Sequence, residues 1–389
     1  MNFSVQFKVR GDDFGGHFIN GISMADSESF WKCKLVSADD EKNVYESSDG
    51  YKITAYHIKK GDVFECYTVF ENNTDSVVTL DMISSFAITD LDFDTLHRAT
   101  SFWSAEGKML SQKLTDLNME RSWSGHGIRI EKFGQVGSMP VRKWFPFVAI
   151  ENSEKNEFIG VQLYIPSSWQ IELFRHKEPL TLLGGLADFD YGHWCKEIKP
   201  NESFTTPKAV VAVGDSLLKV CDMLVKAQNP DISPVDEDLP VIFNEYCTSW
   251  GNPTIENLEK TAKKLQGSGV KYLVMDSGWY KEDGKEWWDT IGDWNVNKSQ
   301  FPDGLKPVCD MIKSYGLIPG IWFEMENVAP LSQIYNETNH LLSRMGTPLN
   351  VAGHRFLDLR DKWRVNYLDE KVIKLLRESG YGYLKKDYN

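Results

Sequence analysis

At 389 residues, with 43 basic against 56 acidic side chains and a formal charge of −13, the chain is too long for one average domain. Its pI near 5.2, with no run of five basic residues, leaves nothing for phosphate backbones or anionic lipid to hold, so neither nucleic acid nor membrane is expected as a partner. Apolar residues at 41% beside 25% charged exclude a chain that is disordered throughout.

The first residues, Met1 to Gly11, alternate charged and apolar side chains without an unbroken apolar stretch, which predicts a cytoplasmic protein. Runs such as Phe3 to Val9 and Tyr51 to Ile58 carry an apolar side chain at every second position, the period of half-buried strands. Gly61-Asp62, Asn72-Asn73-Thr74-Asp75 and Asn152-Ser153-Glu154 separate such runs as hairpin turns would. Residues 1–228 are therefore expected to form an antiparallel β-sandwich without intervening helices. Cys33, Cys66, Cys195, Cys221, Cys247 and Cys309 stand alone with no C-x-x-C pair, which suits free thiols and not a disulfide frame or a zinc site.

Residues 229–240, with three prolines and four acids, read as a linker. Beyond it the pattern changes to alternating strand and helix. Val241 to Tyr246 reads as a continuous buried strand, followed by a helix from Thr254 to Gly267 with Ile255, Leu258, Ala262 and Leu265 on one face. Strand Val270 to Asp276 precedes helix Leu305 to Tyr315. Strand Leu317 to Glu324 precedes helical segments ending near Glu378, and strand Tyr383 to Asp387 comes last. Such alternation demands parallel pairing with right-handed crossovers, as in a (β/α) barrel. A closed eight-stranded barrel takes about 250 residues, so the expectation is that 241–389 is the first half of one, truncated after its fourth strand and leaving open sheet edges.

Acids collect where these strands end: Glu245, Asp276, Glu324 and Asp387. Paired carboxylates suit glycoside hydrolysis, while acids at strand ends also cap helices or stay solvated. Trp279, Trp287, Trp288, Trp294 and Trp322 crowd the same loops and offer flat faces for sugar rings, although packing accounts for most tryptophans.

The ordered series Val274-Met-Asp-Ser-Gly-Trp279, Gly292-Asp-Trp294, Phe301-Pro-Asp-Gly-Leu305, Gly320-Ile-Trp-Phe-Glu324 and Leu384-Lys-Lys-Asp-Tyr-Asn389 resembles glycoside hydrolase family 36, whose members are mostly α-galactosidases. The resemblance implies an N-terminal β-supersandwich, a (β/α)8 TIM barrel and an α-galactoside oligosaccharide substrate. It implies that Asp387 is the catalytic nucleophile of a retaining double displacement and that Lys385 binds the sugar. Asp276 matches the first acid of the family's D-D-G-W pair, Trp322 a tryptophan lining the same pocket, and Trp294 a position close to the entrance. Ser277 replaces the second acid of the pair and Tyr246 stands where the family has a tryptophan. Strict galactose preference is open for that reason, and a related α-glycosidase, a galactosyl transferase or a non-catalytic sugar-binding fragment remain alternatives.

The family's acid/base lies downstream of the nucleophile, beyond Asn389, so residues 1–389 alone are expected to be inactive. Turnover by them would point to Glu324 or Glu326 as a substitute acid. The family is often oligomeric, and no residue here sets a number. No cofactor is expected, since no G-x-x-x-x-G-K-[ST] or G-x-G-x-x-G run occurs. Asp90, Asp92 and Asp94 form D-x-D-x-D, but Thr95 and Ser101 occupy the positions where a calcium loop needs glycine and glutamate, so no metal is expected.

Overall fold

The computed structural model describes residues 1–14, 18–121, 126–176 and 179–387. It divides into two units, Met1–Pro230 and Asp231–Asn389.

The first unit is a sandwich of two antiparallel sheets. One runs in the order Asn2–Ser4, Val78–Leu91, Leu180–Leu186, Trp169–His176, Ile128–Gln135, with Phe7–Val9 and Lys196–Ile198 also paired to Val78–Leu91. The other runs Cys33–Ala38, Lys42–Ser47, Tyr51–Lys60, Val63–Asn72, Ala209–Gly214, Glu157–Leu163, Trp144–Asn152, Thr95–Thr100, Lys108–Lys113, with Ser203–Thr205 added beside Val63–Asn72. Ile88, Ile171 and Leu182 of the first sheet meet Ile150, Ile159, Val161 and Val211 of the second in one dry core. Each such side chain contributes roughly 1.5–3 kcal/mol by leaving water. The turns Gly61-Asp62 and 153–156 close hairpins whose register pairs Lys60 with Val63 and Asn152 with Glu157.

Two features depart from the sequence reading. The run Phe3 to Val9 is not one strand: it breaks after Ser4, and the Gln6 amide donates to Ser84 Oγ at 2.9 Å. The sandwich also carries a helix, Leu217–Gln228, started by Ser216, whose Oγ accepts the Lys219 amide. Its Val220, Met223 and Leu224 cover Ala149, Phe158, Val210 and Ala212 on the outer face of the second sheet. Strand Ala209–Gly214 is consequently apolar on both faces, and simple alternation does not reveal the helix above it.

In the second unit four parallel strands, β1 (Val241–Asn244), β2 (Val270–Met275), β3 (Ile318–Phe323) and β4 (Tyr383–Lys386), pair in sequence order. The connections carry helices α1 (Ile255–Leu265), α2 (Lys306–Ser314), α3 (Lys362–Leu368) and α4 (Lys374–Ser379). Thr254 caps α1 by accepting the Asn257 amide, and Leu258 and Ala262 turn inward against Leu273 and Met275. Strand β1 is shorter and less buried than its apolar run predicts, because it lies at an edge of the sheet: Val241 and Ile242 are exposed, and from Tyr246 the chain makes a helical turn. No helix among the described residues is long and apolar enough to cross a membrane.

Candidate active site

Parallel strands end on the same side of their sheet, and ligands of open α/β sheets bind at that side. Here β1 to β4 deliver Glu245, Asp276-Ser277, Glu324 and Asp387. The ladder fixes their height. Met275 pairs with Ile321 and Trp322 with Lys385, so Asp276, Trp322 and Lys385 follow one another across three strands at one level. The pleat then places Asp387 on the same face as Lys385. One further bond, from the Asp387 amide to the Phe323 carbonyl at 3.0 Å, holds the residue against β3.

Polar contacts tie this row together. Lys385 Nζ donates to Asp276 Oδ2 at 2.7 Å and lies 3.3 Å from Asp387 Oδ2. Trp322 Nε1 donates to that same Asp387 oxygen at 3.0 Å. Burial pulls the Lys385 ammonium toward neutrality, but the hydrogen bond and charge of Asp276 and the charge of Asp387 outweigh it, so its pKa stands above the ordinary lysine value. The Lys385 side chain therefore bridges Asp276 and Asp387. Asp276 Oδ1 accepts the Ser277 amide at 2.8 Å, while the Asp276 amide donates to Glu245 Oε1 at 3.0 Å.

The turn after β2 depends on a glycine. Gly278 has φ +98°, and a Cβ there would lie 2.0 Å from the Gly251 carbonyl oxygen. The close approach lets Trp279 fold under the strand ends, where its Nε1 donates to the Trp322 carbonyl at 3.1 Å. Gly278→Ala is expected to cost at least about 2 kcal/mol, since both the dihedral and the backbone contact oppose it. Denaturant unfolding measures this, and a loss under about 0.5 kcal/mol would show that the turn relaxes freely.

Aromatic rings build the walls. Trp287 packs edge to face on Trp322, with centroids 5.8 Å apart, and on Tyr246 at 6.2 Å. Trp288 lies against His354 at 4.2 Å. Trp294 departs from its expected place at the entrance: only 2% exposed and with φ +52°, it is turned inward against Trp279, Tyr280, Trp322 and Phe323. Its ring packs against Trp322 with centroids 6.2 Å apart.

Glu324 and Glu326 enter other networks. Glu324 Oε1 accepts from Asn327 Nδ2 at 3.0 Å, and Asn327 Oδ1 accepts from His354 Nδ1 at 2.7 Å. Glu326 pairs with Lys386 at 3.2 Å. Sequence reasoning missed Tyr280, whose ring stacks on Trp322 at 6.1 Å. Burial, then the charges of Glu324 and Asp276, push its hydroxyl well above the ordinary tyrosine value. Its position directly after Gly278-Trp279 was the available signal. Ser277 is fully buried and its hydroxyl has no hydrogen-bond partner among the described residues. Tyr388 and Asn389 of the last motif lie outside the described residues. No group of three or more His, Cys, Asp or Glu among the described residues is arranged to hold a metal ion.

A family profile described as melibiase matches residues 203–389. The α-galactosidase Mel36A of Lactobacillus acidophilus is 25% identical over 287 residues, covering 70% of this chain and 38% of its own length. Alpha-galactosidase 1 of Pediococcus pentosaceus is 22% identical over 333 residues, covering 82% of this chain and 43% of its own. Among solved structures, the family 36 α-galactosidase AgaA of Geobacillus stearothermophilus superposes with a TM-score of 0.76 at 19% identity, covering all of this chain and 53% of its own. Substituted forms of AgaA have been solved with stachyose and with raffinose. The chain thus spans less than half the length of these two curated relatives.

Proposed function

We propose that this chain, an α-galactosidase-like protein of the glycoside hydrolase family 36 type, carries the sugar-binding and nucleophilic half of a retaining glycosidase site. In this reading residues 1–228 are a supporting sandwich, 229–240 a linker, and 241–389 the first strands of a (β/α)8 barrel. The substrate is an oligosaccharide with a terminal α-galactosyl unit, the class bound by AgaA.

The observation that carries the reading is the Lys385 ammonium bridging Asp276 and Asp387, at 2.7 and 3.3 Å. Asp387 attacks the anomeric carbon, expelling the leaving alcohol and forming a covalent glycosyl intermediate that water then releases with retained configuration. Lys385 and Trp322 both hold Oδ2, which fixes the plane of the carboxylate before attack. Asp276 and Lys385 hold sugar hydroxyls, Tyr246 and Trp322 line the ring's surroundings, and Ser277 offers a hydroxyl where a second carboxylate would make a stronger bond. A hydrogen bond to a charged acceptor is worth roughly 1.5–3 kcal/mol against about 1 for a neutral one, so galactose should be held less tightly than by an acid pair. The proton donor to the leaving group is assigned to no residue of this chain.

A panel of nitrophenyl α-glycosides tests the reading in the protein to which the chain belongs. Turnover of the α-galactoside, with an α-configured first product, is the expected result. Turnover of another α-glycoside with none of the galactoside would reject galactose as the preferred unit, and galactose binding without turnover of any would reject catalysis.

A further inference from the structure

Glu245 has no part in the reaction above, yet it is fully buried at the end of β1, beside the carboxylate that reads the sugar. Its Oε1 accepts the Asp276 amide at 3.0 Å. Thr248, in the helical turn that follows, gives its hydroxyl proton to the Glu245 carbonyl at 2.7 Å and lies only within 3.5 Å of Oε2. The charged groups facing this corner are Asp276 from β2 and, beyond it, Lys385 and Asp387 from β4. The ammonium is spent on those two aspartates, and among the described residues no cation is a hydrogen-bond partner of Glu245.

An ionised Glu245 would therefore be a second buried anion against Asp276 with no counter-charge of its own. Burying an unpaired charge is costly, and a proton removes the cost while leaving the C=O oxygen able to accept the amide. We propose that Glu245 is a positioning residue for Asp276: it retains its proton at neutral pH and, as a neutral acid, fixes the Asp276 backbone without competing for Lys385. This rests on the reading that Asp276 and Lys385 bind the sugar. Burial first, and the charge of Asp276 after it, push the Glu245 carboxyl above its ordinary range, against the opposing hydroxyls of Ser249 and Thr248 and the Asp276 amide.

The sign of the pH dependence follows. A carboxyl whose pKa is raised by folding favours the native state below its unfolded pKa, and that advantage is lost as pH rises through the folded value. On that alkaline limb Glu245 ionises, repels Asp276 and draws Lys385 away, so sugar affinity falls.

Two measurements on the unaltered chain and on Glu245→Gln test this. Infrared difference spectra of the free proteins at neutral pH should show the C=O stretch of a protonated carboxylic acid in the unaltered chain and lose it in Glu245→Gln; absence of that band from the unaltered chain overturns the proposal. Galactose titrations followed by tryptophan fluorescence should show affinity falling at least about threefold between about pH 6 and pH 9 in the unaltered chain, and staying flat near its acid-side value in Glu245→Gln. Glu245→Leu, which lacks the acceptor, should bind about tenfold more weakly at every pH. A Glu245→Gln protein that keeps the original pH dependence, or binds as poorly as Glu245→Leu, overturns the proposal. No galactose binding by the unaltered chain at any pH would instead reject the sugar reading, and the infrared band then decides the state of Glu245 by itself.

Discussion

On the proposed assignment, Asp387→Asn in the protein to which the chain belongs is expected to lower kcat for an α-galactoside by at least about 10³-fold, some 4 kcal/mol of barrier, while galactose affinity changes by less than about threefold. The asymmetry comes from what the amide keeps. Asparagine has nearly the shape of aspartate and its oxygen can still accept from Trp322 Nε1, while Lys385 remains bonded to Asp276 at 2.7 Å. What is lost is a carboxylate able to form the glycosyl bond. A second variant makes the assignment chemical: in Asp387→Gly, azide can enter the space of the missing carboxylate and attack the anomeric carbon itself. The product is then a β-galactosyl azide, inverted relative to the substrate, with the aglycone as leaving group. Retention of more than about a tenth of kcat in Asp387→Asn, or azide rescue giving an α-azide, would move the nucleophile to another acid. Steady-state kinetics with an activated nitrophenyl galactoside, together with NMR of the azide product, separates these results.

How much of this arrangement is legible in the sequence depends on how far a signal must travel along the chain. Tyr51–Lys60 is readable because its alternation is local. Lys385 and Asp387 are readable as partners because a strand repeats every two residues. Capping of α1 by Thr254 is equally local. Contacts between distant segments leave no such mark. Nothing near Glu245 announces that its side chain accepts the amide of Asp276, 31 residues on, and nothing near His354 announces the bond to Asn327 that reaches Glu324. Trp294 shows the same limit in a different form. Its place in Gly292-Asp-Trp294 suggests a loop at the site, but the side chain's direction is set by a left-handed backbone at φ +52° and by four rings it packs against.

Trp322 separates packing from chemistry, and two substitutions should split its roles. Its side chain is buried among Tyr280, Trp287 and Trp294, so Trp322→Ala is expected to destabilise the second unit by about 3–5 kcal/mol, through lost transfer energy and the cavity left behind. For a unit of this size that lowers Tm by roughly 10 °C. Trp322→Phe keeps most of the ring and should cost only about 1–2 kcal/mol of stability, but it removes the N–H that holds Asp387 Oδ2. On the proposed assignment of Asp387 as nucleophile, that bond orients the attacking group while Asp276 and Lys385 keep their bond to each other, so Trp322→Phe should lower kcat by about tenfold, with a smaller change in KM from the reduced ring. A Phe variant as active as the unaltered protein would show that Lys385 alone orients Asp387. Equal losses of stability in the two variants would show instead that the indole hydrogen bond, and not the packing of the ring, carries the structural role. Thermal unfolding followed by circular dichroism, alongside kcat and KM at a temperature where all three proteins are folded, distinguishes these outcomes, since a packing defect lowers Tm whether or not chemistry is slowed.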